Sequence, residues 1–228
     1  MYITQFKWLL YSLYLTNYYG YKLKKTDNAA EQKKLRLAYA HTLLSKLKIN
    51  IHVENKHLLP DDGQYLLLSN HRSIIDPLIV EIALEQTPIY GLWIAKKELY
   101  NSSFFGLFVR NAGAILLDRE QKQMGNFFAS IKKEVQQGHS IFIFPEGTRN
   151  KTKHPLIPFK EGARIIALKN RLPMLPVYIK SNAGEVLKNA ISTRKTKQQN
   201  ITIIIGDPIH YRDKTNLEVS YKERFQLP

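Results

Sequence analysis

Residues 65–77 read Tyr65-Leu66-Leu67-Leu68-Ser69-Asn70-His71-Arg72-Ser73-Ile74-Ile75-Asp76-Pro77. The first four are bulky and apolar with no polar alternation, the pattern of a strand covered on both faces. Asp76-Pro77 fits a helix start, with the aspartate at the N-cap and the proline in the first turn, where its missing N–H costs nothing. A buried strand feeding a helix through a short polar loop points to an α/β fold. In such folds the loop at the strand's end is where ligands and catalytic groups are placed.

The same alternation extends along the chain from Pro60. Strands are expected at Tyr65–Ser69, Ile89–Ala95, Ala114–Leu117, Ser140–Phe144, Met174–Ile179 and Ile201–Gly206, with helical spacing at Pro77–Glu85, Gln121–Gln137 and Lys160–Lys169. Unbroken runs such as Leu66–Ser69 and Ile141–Phe144 are what a doubly covered sheet uses. The expectation for residues 59–228 is therefore one α/β domain, a largely parallel sheet flanked by helices. Lys188–Asn200 is polar and basic and reads as a surface loop.

Residues 1–58 differ. Met1–Tyr21 is aromatic and aliphatic but broken by Gln5, Lys7, Ser12, Thr16 and Asn17, so it lacks the ~20 consecutive apolar residues of a membrane span. Nor does it carry the positive n-region and small-residue cleavage site of a signal peptide. A second helical pattern covers residues 29–49, with Leu35, Ala38, Leu43 and Leu47 on its apolar positions. Across residues 1–60 there are ten Lys/Arg and three Asp/Glu. Two amphipathic helices of this composition suit docking in a membrane interface, and they equally suit a helical hairpin that caps the core.

The chain of 228 residues carries a net charge of +15 and no cysteine. The charge asks for a polyanionic neighbour: an anionic membrane surface, nucleic acid, an acidic carrier or phosphorylated substrates. Nucleic acid is not expected, because there is no Cys/His finger, aromatic RNP pattern or basic heptad helix. The absence of cysteine excludes disulfides, thiolate zinc sites and an acyl-cysteine intermediate, and fits a reducing compartment. The histidines lack metal-ligand spacing, so neither a metal nor a cofactor is expected.

Four blocks carry candidate chemistry. On a regular helix, residues five apart point roughly 140° away from one another. His71 and Asp76 therefore meet only if His71 lies in the preceding turn and folds back. Taken alone, the two fit either an oriented base or a structural cap. Phe144-Pro145-Glu146-Gly147-Thr148-Arg149 also follows an apolar strand, and Arg149 there suits either bidentate capture of a phosphate or a salt-bridged turn. Gly113–Arg119 places a second arginine past another strand. Leu172–Ile179 brings two prolines into an apolar run, as a pocket wall or an edge strand.

Together these blocks resemble the 1-acylglycerol-3-phosphate acyltransferase (lysophosphatidate acyltransferase) family and the wider glycerolipid acyltransferase superfamily. Asn70-His71 through Asp76 matches the family's His-four-spacer-Asp motif. Gly113–Arg119, Phe144–Arg149 and Leu172–Ile179 match its second, third and fourth motifs in order. Ala95–Leu99 and Pro158–Ala163 are also similar to family segments. The second motif departs slightly, reading Leu-Leu-Asp-Arg where an aromatic often precedes.

The resemblance implies an O-acyltransferase that moves a fatty acyl chain from acyl-CoA or an acidic acyl carrier protein to the hydroxyl of a lysophospholipid. Its first acceptor candidate is 1-acyl-sn-glycerol-3-phosphate; glycerol-3-phosphate or a lyso-aminolipid is the alternative within the superfamily, and an idle membrane-binding module the alternative outside it. It implies His71 as base and Asp76 as its orienting partner, with acceptor binding by Glu146, Gly147 and Arg149, helped by Arg119, Lys96 and Lys97. It also implies that the N-terminal helices dock on an anionic bilayer, leaving the protein peripheral or monotopic on the cytoplasmic face. A serine nucleophile is not needed, so Ser73 is given a turn or capping role. Asp76→Asn is expected to favour the wrong imidazole tautomer. Backbone N–H groups near the Pro77 helix start are candidate oxyanion donors.

Overall fold

The computed structural model describes residues 3–118, 124–192 and 197–228. Two helices open the chain, α1 (Ile3–Leu23) and α2 (Ala29–Lys46), followed by β1 (Ile49–Glu54), β2 (Leu66–Ser69), α3 (Asp76–Ala83), β3 (Gly91–Lys96), α4 (Lys97–Tyr100), α5 (Gly106–Asn111) and β4 (Ile115–Leu117). Then come α6 (Gly125–Gln136), β5 (Ser140–Ile143), α7 (Gly162–Asn170), β6 (Met174–Ile179), α8 (Ala183–Ser192), β7 (Gln199–Ile205) and α9 (Leu217–Phe225). The strands form one sheet in the order β1-β7-β6-β2-β5-β3-β4. Strands β6, β2, β5, β3 and β4 run parallel to one another. β7 runs antiparallel to β6, and β1 runs parallel to β7.

The consecutive leucines of β2 show why the sheet is covered twice. Leu67 packs in one core with α1, α2, α3 and α8 through Leu15, Tyr39, Leu43, Ile79 and Ala183. Leu66 and Leu68 pack in the other with α6, α7 and α9 through Ile131, Ile166 and Tyr221. All three leucines are fully buried, as alternation of side chains along a strand requires when both faces carry helices.

Several expectations change. β1 lies inside the N-terminal segment 1–58, so that segment is not only helical: its end is a strand of the sheet. The expected surface loop Lys188–Asn200 is instead the end of α8 and the start of β7, joined by residues of which 193–196 lie outside those described. The expected helix at Gln121–Gln137 begins at Gly125, with 121–123 also outside. β6 is an interior strand, not an edge, although it contains Pro176. Proline fits there because the antiparallel ladder to β7 starts one residue later, at Val177, and Pro176 contributes only its carbonyl, to Gly206 N–H at 2.9 Å.

The first helix is not amphipathic in the ordinary sense. Leu15, Tyr19 and Leu23 are buried, with Trp8 and Tyr11 packed beside them. Yet Phe6, Leu9, Leu10, Leu13, Tyr14, Tyr18 and Tyr21 are exposed, Tyr14 by 65%. Two opposite faces are apolar: one sits on the protein and the other is turned outward. Gly20 lets this helix approach α5 closely, since a Cβ there would stand 2.8 Å from the Phe108 nitrogen. Thr16 and Tyr39 join α1 to α2 through their hydroxyls at 2.9 Å. Among the described residues no helix is long and apolar enough to cross a membrane.

Candidate active site

The carboxyl ends of β2, β5, β3 and β4 lie side by side, so the segments that leave them share one edge of the sheet. The segment after β2 turns back on itself before α3. Helix α3 begins at Asp76, whose carboxylate faces the preceding loop rather than capping the helix forward. Its Oδ2 accepts the backbone N–H of Arg72 at 2.6 Å and of Ser73 at 2.7 Å, and His71 Nδ1 at 2.8 Å. Because two amide donors already point at Oδ2, that oxygen is an acceptor, and the imidazole proton sits on Nδ1. Nε2 is left with its lone pair. Asp76 is fully buried, and its Oδ1 has no hydrogen-bond partner among the described residues. The His71 side chain remains 19% exposed. The hydroxyl of Ser73 is turned into the loop, accepting Ile75 N–H at 3.5 Å. The Arg72 and Ser73 amides are thus committed to Asp76.

Glu146 sits below this loop. It is 1% exposed, and its two oxygens accept the backbone N–H of His71 (2.6 Å) and of Ile157 (3.0 Å). Glu146, which the resemblance assigns to acceptor binding, has its carboxylate engaged under the loop, bracing the peptide that carries His71. From the other side, Asn150 N–H donates to the His71 carbonyl at 2.6 Å. Gly147 provides the turn between these braces, at φ +69°, a backbone conformation that side chains resist. Its N–H closes the turn on Phe144 O at 2.9 Å.

Burial pushes the Glu146 carboxyl up to about 7, against the lowering effect of its two amide donors and of Arg72. The folded state therefore holds a proton that the unfolded chain releases near 4.5. Stability from this proton is complete below that value and is lost as pH rises through about 7. Melting temperatures taken from pH ~5 to ~8 should fall more steeply for the wild type than for Glu146→Gln, which has nothing to titrate. Equal slopes would show that the buried carboxyl ionises like an exposed one.

Arg149 is exposed and forms no ion pair with another described residue, so the salt-bridged turn is not what holds it. Lys96 ends β3, and Lys97 opens α4 with its ammonium 2.8 Å from Asp118 Oδ2 at the end of β4. Arg119 lies outside the described residues. Neither Phe144 nor Trp93 stands out in the sequence as a site residue. The Phe144 ring lies flat on His71, centroids 3.9 Å apart and planes 10° apart, and Trp93 stacks on Phe144 at 4.8 Å and 23°.

Comparison with known proteins agrees with this arrangement. The acyltransferase family profile matches residues 50–180. The 1-acyl-sn-glycerol-3-phosphate acyltransferase of Helicobacter pylori is 38% identical over 120 residues, 52% of this chain and 49% of its own length. Its Bacillus subtilis namesake is 28% identical over 181 residues, covering 79% and 84%. The human alpha enzyme of that name is 32% identical over 158 residues, covering 68% and 53%. The matched region thus spans about half the length of the first and third of these relatives. The crystal structure of the 1-acyl-sn-glycerophosphate acyltransferase of Thermotoga maritima superposes with a TM-score of 0.67 at 19% identity, covering 98% of this chain and 89% of that one. With a match over more than half of its residues, including the whole His71–Asp76 loop and the Phe144–Arg149 turn, the chain belongs to the acyltransferase family.

Proposed function

We propose that the protein transfers a fatty acyl group from an acyl thioester, acyl-CoA or acyl carrier protein, to the free hydroxyl of 1-acyl-sn-glycerol-3-phosphate, giving phosphatidate. One observation carries this reading: a partly exposed imidazole is held by a buried carboxylate through Nδ1, leaving Nε2 to act as a base. Nε2 takes the proton from the acceptor hydroxyl as its oxygen attacks the thioester carbonyl. The tetrahedral intermediate collapses, the C–S bond breaks, and the imidazolium returns its proton to the departing thiolate. Asp76 orients the ring and stabilises the imidazolium throughout. No acyl-enzyme forms. The names of the relatives support the acceptor and the type of transfer. The direct experiment is mass spectrometry of products after incubation with a panel of thioester donors and lyso-acceptors. Acylation of glycerol-3-phosphate or a lyso-aminolipid in place of lysophosphatidate would replace the acceptor; no acylated product would remove the enzyme reading.

Arg149 is the cation assigned to the acceptor phosphate, with Lys96, Lys97 and Arg119 assigned to assist it and Gly147 shaping the turn. A planar guanidinium grips two phosphate oxygens, which an ammonium does less well. Arg149→Lys is expected to raise KM for the phosphorylated acceptor roughly ten- to a hundredfold, the loss of a charge-assisted bond of ~1.5–3 kcal/mol. KM for the donor should change little. An unchanged acceptor KM in the folded variant would exclude Arg149 from the phosphate site.

The outward face of α1 is assigned to the membrane interface. Seven large apolar residues on one side of a single helix form a patch that water does not favour. Lys22 lies over the Tyr18 ring at 4.7 Å and Lys25 over Tyr21 at 4.5 Å, so cations rim the apolar stripe. That combination suits an anionic, cytoplasmic-side bilayer with the protein held peripherally. Deleting the first 50 residues is a poor test, since it removes the α2 side chains of the core and part of β1. The double variant Leu10→Glu with Tyr14→Glu changes only exposed positions. It should lose binding to anionic vesicles at physiological salt and keep activity toward short, soluble donors. Equal vesicle binding by variant and wild type would rule out this face.

A further inference from the structure

A histidine ring has two rotational freedoms, and the torsion that turns its plane is broad rather than confined to narrow wells. The bond from His71 Nδ1 to Asp76 fixes where one edge of the ring points. It leaves the ring free to rock about that bond, which would swing Nε2 away from the acceptor hydroxyl. The Phe144 ring, parallel to the imidazole at 3.9 Å, blocks that rocking. Phe144 has the same soft torsion, and Trp93 presses on it at 4.8 Å.

Trp93 is fixed in turn. Its Nε1–H donates to Glu81 Oε1 at 2.9 Å, and Phe142 meets it edge-on at 5.3 Å. Glu81 lies on α3, and its carboxylate is paired with Arg36 of α2, both side chains almost wholly buried. Arg36 also donates to Gly91 O at 2.8 Å, at the start of the strand that carries Trp93, and lies over the Tyr90 ring at 5.1 Å. From Arg36 to His71, each group removes the freedom left in the next.

We propose that Trp93 and Phe144 are positioning residues for the catalytic base, and that Arg36 and Glu81 anchor the column they form. Helix α2 of the N-terminal hairpin is then a working part of the active site as well as a platform. This rests on the reading of His71 as the base. The column sets the plane of the imidazole, so its loss lowers the fraction of bound substrate that is correctly aligned, and kcat falls while substrate affinity stays.

The test uses the full-length protein, lysophosphatidate and an acyl-CoA donor, with kcat, both KM values and a melting curve for each variant. Trp93→Ala and Phe144→Leu should lower kcat on the order of tenfold or more, since misplacement of a reacting group by 1 Å costs up to about a hundredfold. Both KM values should stay within about twofold, and Phe144→Tyr, which keeps a ring face against the imidazole, should restore most of the loss. At the anchor, the pair Arg36→Met with Glu81→Leu removes both charges and the indole's acceptor, and should lower kcat in the same way. The pair Arg36→Met with Glu81→Gln removes the charges but keeps an acceptor for Trp93, and should recover most of it. The recovery separates positioning from packing, because both pairs lose the same ion pair. Folded Trp93→Ala and Phe144→Leu with kcat within about twofold of wild type would overturn the proposal. If those two do not fold, equal kcat in the two Arg36/Glu81 pairs would overturn it. His71→Ala run alongside keeps the two ideas apart: an active His71→Ala removes the base, whereas an inactive one with normal column variants removes only the column.

Discussion

His71→Ala is expected to lower kcat by roughly 10²- to 10⁴-fold, the range that general base catalysis supplies. The loss should be confined to chemistry, because the loop does not depend on the ring for its shape. The backbone of residue 71 is held at both ends, by Glu146 at 2.6 Å on its N–H and by Asn150 at 2.6 Å on its carbonyl. The alanine variant should therefore melt near the wild type and bind vesicles equally. Asp76→Asn should cost less than His71→Ala, for a reason visible only in the structure. The Arg72 and Ser73 amides both donate to Oδ2, so they select the amide oxygen of asparagine for that place. The bond to Nδ1–H then survives, the tautomer stays correct, and what is lost is the charge that stabilises the imidazolium. The sequence-based expectation of a wrong tautomer is thereby revised. A folded His71→Ala enzyme with kcat within about tenfold of wild type would refute base catalysis by this residue.

Arg36→Ala should be among the most damaging single changes to stability. It leaves the Glu81 carboxylate buried with its cation gone, and breaking one side of a buried ion pair costs about 3–5 kcal/mol. It also removes the donor to Gly91 O and the cation over Tyr90. Urea unfolding should show a lower midpoint with an unchanged slope, as expected when the native state alone is weakened. Adding Glu81→Gln should recover a substantial part, since no unpaired charge then remains inside. If Arg36→Ala and the double variant unfold at the same midpoint, the stranded carboxylate is not the source of the loss.

Much of the fold was legible because its physics is local. Leu66-Leu67-Leu68 allows little but a strand covered on both faces, and Asp76-Pro77 starts a helix wherever it follows one. β1 escaped notice although Ile49, Ile51 and Val53 alternate with polar residues, since the strand follows α2 with a single turn between and reads as the helix's continuation. α8 was hidden by the basic, polar segment that follows its apolar face. The site was legible where its parts are near in sequence: a five-residue spacing that works only across a turn brings His71 and Asp76 together. Its other half was not, because residues 36, 81, 93 and 144 come from α2, α3, β3 and the turn after β5 and meet only when the sheet sets their register. The burial of Glu146 was not legible for a related reason. A glutamate in a Pro-Gly turn looks exposed until burial and two backbone donors are seen around it.

The pairing of β1 with β7 has a consequence for how the chain is made. β1 hydrogen-bonds to no described strand but β7, whose residues 199–205 lie about 150 positions further along. During synthesis the N-terminal helices and β1 leave the ribosome first, and the strand that completes their ladder leaves near the end. Contacts between such distant segments form slowly, because a long loop must be closed before any bond rewards it. For most of translation, then, β1 waits with two open edges while α1 already offers its apolar stripes. A nascent chain halted before Gln199 should be cut by protease within Ile49–Glu54, and the 228-residue chain released from the ribosome should resist at the same place.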